Sequence, residues 1–165
     1  MTGDKPDERL RTPMAWTGKL PNVGFSGVAP WEAAADGSDR ANVASETADP
    51  DSVLAAYRDL IALRTLYPSL GGAETVIVPS SARGMYAIVR HVGDETTMVV
   101  VNFGLKAENA SFDLSGVPCV TPGTKALAIY GGVEEVAPVT DPGSYVPLAE
   151  MAPYQTLIVK LGGEE

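Results

Sequence analysis

Few side chains in this sequence could do chemistry: one histidine, one cysteine and, between the strand-like runs, the adjacent acids Asp94-Glu95 and Glu134-Glu135. His91 closes the apolar run "GMYAIVRHV" without a converging set of partners, so it reads as an edge or surface residue rather than a base or a ligand. Cys119 lies in "GVPCVTPG" with no His, Lys or Arg beside it to hold a thiolate, and a small buried or partly buried side chain is expected. Asp94-Glu95 and Glu134-Glu135 stand beside glycines. Neighbours on a strand point to opposite sides and cannot face each other across a substrate, so both pairs read as solvated turns. "GGVEEV" lacks the Lys and Ser/Thr of a phosphate loop. Tyr86, Phe103, Phe112, Tyr130, Tyr145 and Tyr154 could form a stacking platform for sugars, but aromatics at strand positions are expected in the core. No catalytic residue, no metal site and no cofactor follow from these residues.

The elements that would position any site fall into three regions. Residues 1–48 are rich in Pro, Gly, Asp and Ser with scattered aromatics, concentrated in "RTPMAWTGKLPNVGFSGVAPW" from Arg11 to Trp31. This reads as a long irregular segment, and such segments are usually functional or disordered. In "DPDSVLAAYRDLIALRTLYPSL", Asp49 is placed to cap a helix, Pro50 suits its first position and Asp51 complements its dipole. Val53, Leu54, Tyr57, Leu60, Ile61 and Leu63 give it one apolar stripe, and Pro68 stops it, so a helix over 50–67 is predicted. After Ala73, β-branched and aromatic runs alternate with turn residues: "ETVIVPS", "GMYAIVRHV", "TTMVVVNFG", "ENASFDLSG", "KALAIYGG" and "YQTLIVKLG". These predict an antiparallel β-sandwich or barrel, with "HVGDETT" closing a hairpin between the second and third runs.

The chain has 165 residues, 45% of them hydrophobic, and a net charge of −9. A folded protein of one domain, or one small domain with an appendage, is expected. Arg9 and Arg11 come nearest to a basic cluster, but Asp4, Asp7 and Glu8 surround them, which argues against nucleic acid or an anionic membrane as partner. With one cysteine, no signal-like N-terminal run and no apolar stretch that could span a bilayer, a cytoplasmic setting is expected.

"RTPMAW", "PNVGFS", "PW" and the helix "DPDSVLAAYRDLIALRTLYPSL", followed by a "VVVNF" strand, together resemble the C-terminal part of the α-amylase superfamily of glycoside hydrolases. The nearest likeness is to the α-glucosidase, oligo-1,6-glucosidase and trehalose synthase group, and it covers the whole chain. It implies that residues 1–72 correspond to the end of a catalytic (β/α)8 barrel (loop 1–48, helix 50–67), with Met1–Asp4 leaving the eighth strand. Residues 73–165 would then be the antiparallel β-sandwich called domain C. The family's catalytic carboxylates come from earlier barrel strands, and neither an "NHD" nor a "GFRxD" segment occurs here. The chain alone is therefore expected to be inactive. Arg11 matches the family's Arg of "RTPMQW", which contacts hydroxyls of the non-reducing-end glucose, so it is the candidate substrate-binding residue in a complete enzyme. Ala15 and Thr17 depart from the family's Gln and Asp at those positions.

The expected role is structural: covering the barrel and completing one wall of its sugar site. The expected partner is the catalytic barrel of the parent enzyme or of a split partner, with α-glucosides bound only in the complete enzyme. A stand-alone glucan- or protein-binding sandwich and the minor subunit of a split enzyme are the alternatives. Without the barrel, the helix stripe and Trp16, Phe25 and Trp31 would be exposed and could support a homodimer.

Overall fold

The computed structural model describes residues 11–72 and 74–162. Expectations about Met1–Asp4 and the surroundings of Arg9 lie outside those residues. The described residues form two compact units that divide between residues 62 and 63.

In the first unit the irregular stretch is ordered by its backbone. The amides of Trp16 and Thr17 donate to Val23 O (2.9 and 3.0 Å), and Val23 N donates to Lys19 O. Val23 is fully buried and sits at φ 44°, a conformation rare for a β-branched residue and held here by those bonds. A short helix interrupts the segment expected to be loop: α1, Val43–Ala48, is capped by Asn42, whose side chain accepts from Ser45 N while the Ser45 hydroxyl accepts from Asn42 N. Its next free amides, Val43 N and Ala44 N, donate to Ala15 O and Trp16 O (3.0 and 3.1 Å). The helix N-terminus is thereby satisfied by the "RTPMAW" backbone.

The long helix α2 spans Val53–Leu66, a later start than predicted. Asp49 terminates α1, and its carboxylate accepts from Asp51 N instead of capping α2. Ser52 takes the capping role, its hydroxyl accepting from Ala55 N (3.1 Å), while the Glu46 carboxylate accepts from Leu54 N. No residue of α2 is buried; Val53, Tyr57 and Ile61 stand exposed along one side.

The second unit is mainly β. Strands β1 (Glu74–Val78), β2 (Met85–Val92), β3 (Glu95–Asn102), β4 (Ala126–Tyr130) and β5 (Thr156–Leu161) form one antiparallel sheet in the order β1-β2-β3-β5-β4. The predicted hairpin is β2–β3: Val92 pairs with Glu95 across Gly93, whose φ of 57° suits the first position of a two-residue turn. Alternation sends Ala87, Val89, Met98, Val100, Leu157 and Val159 to one buried face. Phe112, Leu114, Val139 and Tyr145 pack against that face from the segment between β3 and β5. "ENASFDLSG" makes isolated bridges rather than a strand: Ser80 with Phe112, Phe112 with Tyr145 and Glu108 with Met151. Asp113 ends the extended run by accepting from both Ser115 N and its hydroxyl, a local turn that competes with the ladder.

Three further expectations need correction. Cys119 is exposed, because its φ of 65° turns it outward between buried Val117 and Val120. Glu95 is not a solvated turn residue: its carboxylate accepts from Ser69 N (2.7 Å) and fastens the 3-10 turn Pro68–Leu70 to the sheet. The six aromatics also divide. Phe112 and Tyr145 are core, whereas Tyr86, Phe103 and Tyr154 are exposed.

Candidate functional site

Arg11 lines a hollow of about 70 Å³ in the first unit, together with Thr12, Pro13, Phe25, Pro30, Trp31 and Glu32. Local backbone structure brings these residues together. Pro13 is buried, and the carbonyls of Ala15 and Trp16 are tied to the start of α1, which fixes the run that carries Arg11. Phe25 N donates to Asn22 O, closing the turn after Val23. The Ser26 hydroxyl donates to Val28 O and accepts from Val28 N (2.7 and 3.0 Å), bending the chain before Trp31.

The hollow combines two aromatic faces, a guanidinium fork and a carboxylate. Trp31 is 72% exposed and Phe25 52%. Such a set suits a neutral polyhydroxyl ligand: aromatic faces take C–H surfaces, the planar fork donates to paired hydroxyls, and the carboxylate accepts from them. Arg11, Phe25 and Trp31 were all marked by the sequence. Glu32 was not, although its position next to Trp31 was the available signal. Trp16 is half exposed and does not line the hollow. Ala15 and Thr17 serve the fold here, Ala15 O as acceptor for α1 and the Thr17 hydroxyl as acceptor from Lys19 N.

Among the described residues the other titratable groups do not converge. His91 Nδ1 pairs with the Thr96 hydroxyl at 2.9 Å inside the hairpin, and Glu134 and Glu135 are exposed. Among the described residues no cluster of His, Cys, Asp or Glu could hold a metal ion, and no helix is long and apolar enough to cross a membrane.

The family described as "Alpha amylase, catalytic domain" matches residues 1–71. A glucan 1,6-alpha-glucosidase of Streptococcus dysgalactiae subsp. equisimilis is 32% identical over 118 residues, 71% of this chain and 22% of that protein. This chain is a relative of the α-amylase glycoside hydrolases. An alpha-glucosidase of Pediococcus pentosaceus is 47% identical over 63 residues, 38% of this chain and 11% of that protein. The fold agrees with this relationship. The trehalose-6-phosphate hydrolase of Bacillus licheniformis superimposes with a TM-score of 0.70 at 24% identity, covering 96% of this chain and 27% of that one. A trehalulose synthase variant crystallised with Tris gives 0.68 at 30% identity, with 92% and 25% covered. The chain thus spans about a quarter of the length of these two proteins.

Proposed function

We propose that this chain is the C-terminal portion of an α-amylase-superfamily glycosidase or glucosyl-transferring enzyme, non-catalytic by itself. Its role is to cover the catalytic barrel and complete one wall of the sugar site. Residues 1–72 would be the end of the barrel and 73–165 the domain C sandwich, with the irregular bridged segments as the second layer. The observation that carries this reading is α2. It falls within the stretch matched by the catalytic-domain family, yet Val53, Tyr57 and Ile61 are 68%, 65% and 62% exposed. An apolar stripe on a helix of that length is built to be buried, and the rest of a barrel would bury it.

Arg11 would then donate to glucose hydroxyls in the assembled site, with Trp31 and Glu32 beside it. The relatives' names point to α-glucosides, including 1,6-linked glucans, as the substrate class. Purified chain incubated with maltose, isomaltose and an aryl α-glucoside should release no glucose; turnover above background at stoichiometric protein overturns the reading. In an enzyme joining this segment to a catalytic barrel, Arg11→Ala should lower kcat/KM by about 10–100-fold, the worth of a charged bidentate contact.

A further inference from the structure

The proteins matched above include a glucan glucosidase and a trehalose-6-phosphate hydrolase, so relationship alone does not choose between a neutral and a phosphorylated sugar for the Arg11 hollow. The residues of the hollow bear on that choice. At about 70 Å³ it is far smaller than the roughly 300–1,000 Å³ of a whole ligand pocket, so it accepts one edge of a sugar unit, where hydroxyls project. Arg11 and Glu32 both line it, with Phe25 and Trp31 as its aromatic walls. Glu32 is partly buried, and among the described residues no donor is hydrogen-bonded to its carboxylate. A carboxylate withdrawn from water in this way needs a donor, and a ligand in the hollow is placed to supply one.

Arg11 by itself would favour phosphate. A guanidinium fork pairs with two phosphate oxygens at once, in short charge-assisted hydrogen bonds. Glu32 opposes that preference. A sugar phosphate brings oxygens that mainly accept and a charge of about −1.5 to −2 near neutral pH, and both features repel a carboxylate. A sugar hydroxyl, by contrast, is donor and acceptor together. Neighbouring hydroxyls on one edge can accept from Arg11 and donate to Glu32, so that both groups are satisfied by the same ligand. Discrimination then comes from what the hollow makes costly to bind as much as from what it holds.

We propose that Glu32 is a specificity-determining residue, which reserves the Arg11 hollow for sugars with free hydroxyls and turns away sugar phosphates. The proposal rests on the functional reading above, which places a glucose unit against Arg11. The test is titration calorimetry of the enzyme in which this segment is joined to a catalytic barrel, with glucose and glucose 6-phosphate as probes. Salt of about 0.15 M screens the long-range part of the chain's negative charge. Glucose 6-phosphate should bind at least tenfold more weakly than glucose. Glu32→Gln, which keeps the size and one acceptor oxygen, should tighten glucose 6-phosphate about tenfold and weaken glucose by no more than about fivefold. A gain of binding cannot come from a damaged fold. Asp36→Asn removes the same charge from an exposed position that does not line the hollow, and it should leave both affinities unchanged. The proposal is overturned if the unaltered enzyme binds the two sugars equally, if Glu32→Gln fails to tighten glucose 6-phosphate, or if Asp36→Asn tightens it as much. Any of these results, with glucose still bound, leaves the functional reading standing. Binding of neither sugar overturns that reading and this proposal together.

Discussion

Tyr145 shows how a single buried polar group ties the β unit together. Its ring is 2% exposed, its hydroxyl donates to Ala137 O at 2.8 Å, and its backbone exchanges hydrogen bonds with Phe112. Burial pushes the phenol's pKa upward from 10.0, so the native state holds this proton where the unfolded chain has lost it. The resulting stability is complete below about pH 10 and declines as pH rises above it. Urea unfolding at neutral pH and above pH 10 should show that decline. Tyr145→Phe should remove Tyr145's share of the pH dependence and cost about 1 kcal/mol at neutral pH, because the Ala137 carbonyl loses its donor. At this scale the sequence marked Arg11 as a candidate through its resemblance to a family motif, and Phe25 and Trp31 as aromatics out of place in a loop. It could not reveal that Glu32, 21 positions beyond Arg11, lines the same hollow, because that proximity depends on the turns at Val23 and Ser26.

The start of α2 shows where local rules compete. Asp49, Pro50 and Asp51 satisfy every requirement for a helix start, yet the cap is Ser52. The difference comes from α1, whose Glu46 carboxylate reaches Leu54 N and whose Glu46 carbonyl accepts from the Ser52 hydroxyl at 2.7 Å. A six-residue helix is too short for periodicity to reveal, so its influence on the next helix was also hidden. Ser52→Ala should destabilise the chain by about 1 kcal/mol, and Asp49→Ala by clearly less, as read from thermal unfolding of the two variants. The β2–β3 hairpin, by contrast, was legible because its turn chemistry and both strand patterns are adjacent in sequence. A second test concerns the bulge where β4 meets β5. Gly131 follows it at φ 121°, and a Cβ there would come within 2.6 Å of Thr156 O. Gly131→Ala should cost more than about 1 kcal/mol, since both the backbone and the contact oppose it.

For the whole molecule, the exposed apolar side of α2 and the rings of Trp31 and Phe25 should make the chain sticky when it is alone. Sedimentation should show self-association that rises with concentration, and Tyr57→Glu with Ile61→Glu should suppress it. The mainly antiparallel β character was readable from the strand runs. Which aromatics would be buried was not, because that depends on whether a ring falls on the buried face of a strand or on a turn beyond its end. The fully buried Asn102, at the end of β3, bears on the order in which the β unit forms: its Nδ2 lies within hydrogen-bond distance of the carbonyls of Lys106, Met151 and Ala152. β3 and β5 are neighbours in the sheet, yet residues 103–155 lie between them, and Asn102 stands at the neck of that excursion. The β2–β3 hairpin needs only a two-residue closure, whereas β5 must bring its end back across roughly fifty residues, at an entropic cost that its own pairing must offset. Amides of the hairpin should therefore gain protection from hydrogen exchange first during refolding. The Asn102 side chain would act as the latch that closes last, sealing in the layer carried by the excursion.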